Sequence, residues 1–212
     1  MTLGEIKLEA LRIMFVDAIT LFEKNDALES LEEETECKDY LAGMPGAINR
    51  CFANLESRDI LPQKRAVLSD FPGEKFGGRI RYVLSEFIPD FFKIERIVKE
   101  NQRGGYDSSV DYSKEGDTLV IAECEEDERY IIIYRPKLQR VTALTDNETE
   151  IQLPDNIAAL VPYFIKSELY RIDEPDEAQE ARNWYEAGIT EIAFENDTVQ
   201  GRVKSVYSME DV

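Results

Sequence analysis

Apolar positions between Pro154 and Ala193 recur at helical spacing in two successive stripes. Residues at i, i+3, i+4 and i+7 lie on one side of a helix. The first stripe contains Ile157, Leu160, Val161, Phe164, Ile165, Leu169 and Ile172, and the second contains Ala178, Ala181, Tyr185, Gly188, Ile189 and Ile192. Asp155 is a candidate N-cap for the first helix. Because Pro175 lacks an N–H and disfavours helix in the residue before it, the pattern predicts an antiparallel helical hairpin that breaks at this proline.

A few residues of this hairpin are expected to hold its helices together. The predicted scaffold residues are Phe164, Leu169, Pro175, Trp184 and Tyr185. Pro175 sets the break between the helices. Trp184 and Tyr185 are expected to anchor the second helix against the first, with Phe164 opposite them.

The first 60 residues also show helical spacing. Thr2-Leu3-Gly4-Glu5 fits a capping box, so a helix is predicted from the N-terminus to about Lys24. Its apolar residues cover more of the helical wheel than one core requires, which indicates a contact with a neighbouring subunit or a central place in its own bundle. An acidic connector follows at 26–36. A second helix is predicted over 37–56, with a kink or a split at Pro45-Gly46.

Between about Gln63 and Thr145 the pattern changes to alternation punctuated by turn residues. The predicted strands are 79–84, 92–99, 118–124 and 129–135, with Glu125–Glu128 as a hairpin turn joining the last two and Gly77-Gly78, Gly104-Gly105 and Gly116-Asp117 as further turns. Short strands this close together favour an antiparallel sandwich or a barrel-like module.

The predicted fold class is α+β, with a helical bundle from both chain ends and an inserted antiparallel β-sandwich or barrel-like module. The helical domain covers 1–60 and 154–193, the β-rich domain covers 63–150, and 194–212 form a C-terminal tail. Apolar residues alternate in this tail without an evident partner segment, so it adds an edge strand, reaches another protein or is disordered. The residues predicted to bind a partner are Val199, Arg202, Val203, Lys204, Val206 and Tyr207.

The hairpin sequence PYFIKSELYRIDEPDEAQEARNWYE resembles the closing helices of the head-to-tail connector proteins of tailed phages, also called adaptor or neck proteins. In those proteins a P-Y-Y-I-x-x-x-L helix precedes an acidic residue and proline, and an A-x-x-x-R-N-x-Y-E helix follows. The matching segments are Pro162–Leu169, Glu174-Pro175 and Ala178–Glu186. The opening MTLGEIKLEAL and the MPGAINR at Met44–Arg50 also resemble the start of such proteins.

The resemblance implies a structural protein of the virion rather than an enzyme. It implies a homo-oligomeric, dodecameric ring below the portal protein that also meets the tail or the next neck protein. DNA would pass through this ring without sequence-specific binding. Connector proteins often use terminal segments to grip the portal or an adjacent subunit. The expected location is therefore the head-to-tail junction of the virion, after synthesis in the host cytoplasm.

Composition limits the ligands that the chain could bind and the reactions that it could catalyse. The chain has 212 residues, a formal charge of −19 and no histidine. A strongly negative chain is a poor nonspecific ligand for nucleic acid or anionic membranes. Without histidine it lacks Ser-His-Asp and Cys-His nucleophiles and His-ligated zinc. Cys37, Cys51 and Cys124 form no C-x-x-C pair and are expected to be reduced thiols.

The sequence shows no apolar run close to the ~20 residues that span a bilayer, and it shows no signal-peptide pattern. We therefore expect the protein to stay in the cytosol where it is made, without a membrane partner.

No catalytic, cofactor or metal residues are predicted. The acids at 26–36 lack the D-x-[DN]-x-[DN]-G frame of a calcium loop, and Gly77-Gly78-Arg79 lacks the frame of a phosphate loop. Glu123 and Glu125–Glu128 are expected to point into water, whereas glycoside hydrolysis needs two carboxylates held apart in a cleft. Four tyrosines are expected to be ordinary strand residues: Tyr106, Tyr112, Tyr130 and Tyr134. The alternative is that they stack on sugars or bases.

Two alternatives to the connector stay open at this point. One is an acidic inhibitor or DNA mimic whose carboxylates imitate phosphates. The other is a carbohydrate-binding module or an enzyme built on the β-rich part, which the absence of histidine weakens.

Overall fold

A computed structural model describes residues 1–15, 28–31, 35–100, 105–107, 110–122 and 128–207. The chain divides into two compact units. Met1–Ile60 and Gln139–Val212 form the first, which we name the helical unit, and Leu61–Leu138 form the second, the β unit. The combination of helices with antiparallel sheets confirms the predicted α+β class.

The described helices and strands follow one another along both units. The helices are α1 Leu3–Met14, α2 Leu28–Leu31, α3 Thr35–Ser57, α4 Leu84–Phe87, α5 Asp155–Ala158, α6 Val161–Leu169 and α7 Pro175–Tyr207, and a 3-10 helix covers Leu68–Asp70. The strands are β1 Lys64–Val67, β2 Glu74–Phe76, β3 Arg79–Val83, β4 Phe91–Glu100, β5 Tyr106–Asp107, β6 Tyr112–Glu115, β7 Thr118–Ile121 and β8 Arg129–Pro136.

Helix α1 begins at the predicted capping box. The Thr2 N–H donates to Glu5 Oε2 at 2.8 Å, and the Glu5 N–H donates to Thr2 Oγ1 at 3.2 Å. The helix ends at Met14, because Phe15 has non-helical backbone angles (φ −112°, ψ 46°). The predicted single helix to Lys24 is therefore wrong. Residues 16–27 and 32–34 lie outside the described residues. The described part of the predicted acidic connector at 26–36 is helical, because it contains α2 and the first two residues of α3.

Side chains of α6 and the residue after it hold the end of α1. Lys166 Nζ donates to the Ile13 carbonyl oxygen at 3.1 Å, and Tyr170 Oη donates to the Met14 carbonyl oxygen at 2.6 Å. The last carbonyl groups of a helix have no partner within the helix, so these bonds satisfy groups that α1 leaves free. Lys166 also pairs with Glu177 of α7 at 2.7 Å.

Helix α3 is one element that contains Pro45, so the predicted split at Pro45-Gly46 does not occur. It extends slightly beyond both ends of the predicted 37–56. Its buried face is fully closed to solvent at Met44, Ile48, Phe52 and Leu55.

The first helix of the hairpin is broken in two. Pro162 lies in the first turn of α6 and lacks the N–H that would donate to the carbonyl of Ala158, so the hydrogen-bond ladder stops between α5 and α6. The cap residue of α5 is Pro154, and Asp155 is its first residue. The predicted continuous helix with Asp155 as N-cap is therefore wrong. Ile172, predicted on its apolar face, follows α6 and is 84% exposed.

Helix α7 begins at Pro175, as predicted. It runs antiparallel to α6, since Phe164 meets Tyr185 while Lys166, further along α6, meets Glu177 nearer the start of α7. The helix continues to Tyr207, so the predicted end near Ala193 and the edge-strand alternative for 194–212 are wrong; 208–212 lie outside the described residues.

The segment after the β unit belongs to the helical unit. The Asn49 side chain donates to the Val141 carbonyl oxygen at 2.7 Å and accepts from the Val141 N–H at 2.9 Å. The Leu3 N–H donates to the Thr149 carbonyl oxygen at 2.9 Å. These bonds attach 139–150, which alternation had assigned to the β-rich domain, to α1 and α3.

The β unit contains two four-stranded antiparallel sheets, in the orders β1-β8-β4-β5 and β2-β3-β7-β6. Gly77 and Gly78 join β2 to β3 with φ values of +55° and +74°. Positive φ at both central residues is the two-residue turn that matches the twist of a hairpin. The predicted turns at Gly77-Gly78 and Gly116-Asp117 are confirmed, whereas Gly104 lies outside the described residues.

Strands β7 and β8 lie in different sheets, so the predicted hairpin turn at Glu125–Glu128 is wrong. Strand β7 pairs with β6 and β3, and β8 pairs with β4 and β1. Side-chain alternation predicts strands but does not say which strands pair. Buried residues of both sheets form one cluster: Ile80, Tyr82, Ile97, Leu119, Ile121, Tyr130, Ile132 and Tyr134. Leu68, Leu84 and Ile88, from segments that connect strands, belong to the same cluster.

Candidate functional site

Tyr185 lies at the centre of the contact between α6 and α7. Its side chain is fully buried, and its ring meets that of Phe164 edge-on with 5.0 Å between the ring centroids. The Arg182 guanidinium lies over both rings, 4.6 Å from the Phe164 centroid and 5.4 Å from the Tyr185 centroid. Aromatic pairs in this geometry add about 0.5–1.5 kcal/mol beyond the area they bury. The structure thus brings two of the predicted scaffold residues into direct contact.

Polar groups beside Tyr185 tie α7 to α3. Tyr185 Oη donates to Asn54 Oδ1 at 2.8 Å. Arg58, just beyond α3, donates two hydrogen bonds to Glu186, at 2.6 and 2.9 Å. Arg182 Nε donates to the same carboxylate at 2.9 Å. A two-pronged arginine–carboxylate pair fixes geometry as well as energy. We name Asn54, Arg58, Arg182, Tyr185 and Glu186 the interhelix clamp.

No sequence pattern pointed to Asn54 and Arg58. Asn54 comes just before Leu55, the last apolar residue of the buried face of α3, and Arg58 lies just beyond the helix. Their role appears only when α7 is placed beside them.

The ionisation of the clamp suits a structural role. Burial raises the pKa of Tyr185, and burial raises the pKa of the neighbouring Cys51 thiol to about 12. For Glu186, burial acts to raise the pKa, but the hydrogen bonds and charges of Arg58 and Arg182 outweigh it and leave the pKa below its ordinary value of 4.5. Near neutral pH the site therefore holds a neutral phenol, a neutral thiol and a paired carboxylate. A nucleophilic cysteine would need a lowered pKa.

Glycines let α6 approach its two neighbours closely. A Cβ at Gly188 of α7 would lie 2.6 and 2.8 Å from the two methyl carbons of Leu160. A Cβ at Gly43 of α3 would lie 2.8 Å from Leu169 Cδ2. Real Cβ contacts are essentially never this short, so a side chain at either glycine would force the facing leucine to move. Leu169, a predicted scaffold residue, therefore contacts α3 at Gly43.

Trp184 is 62% exposed, so the prediction that it anchors α7 against its partner is wrong. The buried stripe of α7 contains Ala178, Ala181, Tyr185, Ile189 and Ile192. At 100° per residue Trp184 lies about 100° from the middle of this stripe, which turns it away from the core.

The residues predicted to bind a partner lie in the last part of α7. The structure describes the helical backbone there but not the side chains of 196–207. Val199, Val203 and Val206 are spaced i, i+4 and i+7, which is helical spacing, and this explains why alternation was the wrong interpretation of the segment. Arg202, Lys204 and Tyr207 share the same helical segment.

The tyrosines of the β unit divide by environment. Tyr130 and Tyr134 are buried in the core cluster, and Tyr134 Oη donates to Asp90 at 3.0 Å. Burial and the Asp90 carboxylate raise the pKa of Tyr134 to about 12. Tyr106 and Tyr112 are 55% and 43% exposed.

Glu128 does not point into water as predicted. Its side chain is 8% exposed, and it pairs with Lys99 and accepts a hydrogen bond from Tyr130. Glu123 and 125–127, the other predicted turn acids, lie outside the described residues.

Metal-ligating groups do not converge in the part of the chain that the structure describes, where no three His, Cys, Asp or Glu residues lie together so as to hold an ion. Within the same residues, no helix has the length and apolar character to cross a membrane.

No protein-family model matches the chain, and no curated protein matches it.

Proposed function

We propose that this chain is a head-to-tail connector of a tailed phage, one subunit of a dodecameric ring that lies below the portal protein. The observation that carries the proposal is the overlap between the connector-like sequence and the packing of the hairpin. Arg182, Tyr185 and Glu186 belong both to the connector-like segment and to the interhelix clamp. The resemblance thus extends to the residues that position the helices, which supports a shared scaffold.

We infer that the helices from both chain ends form one bundle, with the β unit inserted between its halves. Contacts join α6 to α1, to α3 and to α7. Helix α6 is therefore the element around which the helical unit is arranged.

The distribution of charge suits a channel through which DNA passes. The helical unit has 29 acidic against 12 basic residues, a formal charge of −17 out of the chain's −19. Acidic walls repel phosphate over roughly a Debye length, ~8–10 Å at moderate salt. DNA would therefore pass the ring without being held by it and without sequence-specific contacts.

The end of α7 is the segment we assign to partner binding, with the portal protein or the tail or next neck protein as the partner. Arg202 and Lys204 are basic residues in an acidic unit. Charges at the rim of an interface set register and association rate more than affinity. The proposed location is the head-to-tail junction of the virion.

The net charge of −17 on one unit also favours a second candidate, an acidic inhibitor that imitates nucleic acid. One experiment separates the two. Purified chain is mixed with portal rings, and separately with a basic DNA-binding protein such as a histone, and the products are resolved by size-exclusion chromatography. The connector binds portal rings in a fixed ratio. A chain that ignores the portal but binds the basic protein and displaces DNA from it is an inhibitor, and the connector proposal is then rejected.

A further inference from the structure

One face of α7 combines an exposed tryptophan with unpaired carboxylates. Trp184 is 62% exposed, and Glu180, Glu191 and Glu195 lie within about 40° of it around the helix at 100° per residue. Among the described residues, none of these three carboxylates has an ion-pair or hydrogen-bond partner. We name these four residues the Trp184 face.

The chemistry of this face selects its partner. Tryptophan is among the residues that contribute most to binding energy at interfaces, and carboxylates surround it here. The surrounding carboxylates repel phosphate, anionic lipid and acidic protein surfaces. The partner must therefore present an apolar side chain among basic ones.

The hairpin formed by β2 and β3 has that chemistry. Residues 74–79 are all exposed, and Phe76 at the end of β2 is 46% exposed. Lys75 and Arg79 have no ion-pair partner in the described part of the chain. A Cβ at Gly77 or Gly78 would meet no described atom within 4 Å, so the turn itself is uncrowded. Strand β2 is also an edge strand.

We propose that the tip of the β2–β3 hairpin of one copy docks end-on on the Trp184 face of a second copy, with Phe76 against Trp184. Arg79, which is paired with Phe76 and shares its face of the hairpin, then lies toward Glu191, and Lys75, on the opposite face, lies toward Glu180. The inference rests on the proposed function, because it supplies the contact between neighbouring subunits of the ring.

The net charges of the two units favour a contact between a hairpin and a helical unit over a contact between two helical units. The helical unit carries −17, whereas the β unit has 15 acidic against 13 basic residues and carries −2. Two helical units therefore repel each other, and a basic hairpin is the part of a second copy that a helical unit attracts. Because the two surfaces are different, the contact is head-to-tail, and such contacts close into rings or continue as filaments.

The test uses two charge-reversed chains and analytical ultracentrifugation over a series of concentrations. The hairpin-reversed chain carries Lys75→Glu and Arg79→Glu, and the helix-reversed chain carries Glu180→Lys and Glu191→Lys. Each alone faces like charges across the contact, so self-association should weaken by about tenfold or more. In an equal mixture every hairpin has an oppositely charged face available on the other chain. Association should therefore return, which loss of folding cannot explain.

Matched variants control for net charge and for exposed apolar area. Lys137→Glu and Glu148→Lys reverse exposed charges in segments that belong to neither surface and should associate like wild type. Trp184→Ala should weaken association, whereas Leu144→Ala, at a residue 95% exposed, should not. Melting temperatures of all variants are measured alongside.

The proposal is overturned if wild type stays monomeric at every concentration, if either reversed chain associates like wild type, or if the mixture fails to recover. These outcomes are distinct from failure of the connector function. Portal binding without sensitivity to the reversals leaves the function and removes this contact. Recovery in the mixture without portal binding keeps this contact and rejects the connector function.

Discussion

Trp184 and Tyr185 are neighbours on α7 with opposite environments. Tyr185 is fully buried and joins α3, α6 and α7, whereas Trp184 is 62% exposed. Residue type alone did not distinguish them, and both were predicted as anchors. The distinction was present in the spacing, because Tyr185 lies four residues after Ala181 and seven after Ala178, on the stripe of small buried residues, and Trp184 does not.

Tyr185→Ala should lower the free energy of unfolding by about 3–5 kcal/mol, because it removes a fully buried aromatic ring. Trp184→Ala on the same helix should change it by about 0.5 kcal/mol or less, since exposed positions contribute little. Urea unfolding followed by circular dichroism measures both. Equal losses for the two variants would contradict the placement of the clamp.

Glu186 should make part of the stability depend on pH. Its folded-state pKa lies below the ordinary 4.5, so its contribution is complete above the unfolded-state pKa and is lost as pH falls through the folded-state pKa. Glu186→Gln should therefore be less stable than wild type at pH 7, and the difference should shrink as the pH falls below 4.5. Glu180→Gln, at an exposed residue of the same helix, is the control. A difference that is constant with pH would rule out this linkage.

At the scale of helices and strands, close approach matters as much as apolar spacing. Helix α6 crosses α7 at Gly188 and α3 at Gly43, where a Cβ would overlap Leu160 or Leu169. Spacing predicted which faces meet. It did not predict how closely they meet, because that depends on pairs of residues far apart in the chain.

Gly188→Ala should destabilise the chain by about 1–3 kcal/mol, because the added methyl group meets both methyl carbons of Leu160. Gly46→Ala in α3 is the matched control, since its Cβ would meet only Arg50 Nη1 at 3.5 Å. There the higher helix propensity of alanine should stabilise by about 0.5–1 kcal/mol. Thermal unfolding compares the two, and stabilisation by both variants would show that the α6–α7 crossing has been misinterpreted.

The last part of α7 should serve assembly rather than folding. The last buried residue described in this helix is Ile192, so a chain that stops after Glu195 keeps every residue of α7 that is described as buried. It should fold with nearly unchanged melting temperature and should fail to join portal rings. A truncated chain that unfolds, or that still binds the portal, would contradict the assignment of Val199–Tyr207 to partner binding.

The sequence was informative about elements and less so about their ends and partners. The capping box at Thr2, the proline at 175 and the glycine turns were predicted correctly because each depends on local backbone chemistry. The break before Pro162 was also local, but it was overridden by the apolar stripe that continues across it. The placement of β7 and β8 in different sheets depends on pairing between strands far apart in the chain, and the pattern of a single sequence does not show which strands pair.

At the scale of the whole molecule, the α+β class was predicted from a change in the spacing of apolar residues. Helical spacing indicates helices and alternation indicates strands, so the change marks where one type of structure gives way to the other. The distribution of net charge is a second property of the whole molecule that bears on function. Nearly all of the net negative charge, −17 of −19, lies on the unit that contains the connector-like hairpin. The function is proposed from that hairpin and that charge together.

The most direct test of the connector proposal is the mass of the complex that the full chain forms on isolated portal rings, measured by native mass spectrometry. The proposal predicts a single added species whose mass corresponds to one closed ring of 24.4 kDa subunits, twelve by the resemblance, per portal ring. Portal rings whose mass is unchanged in the presence of excess chain would contradict it.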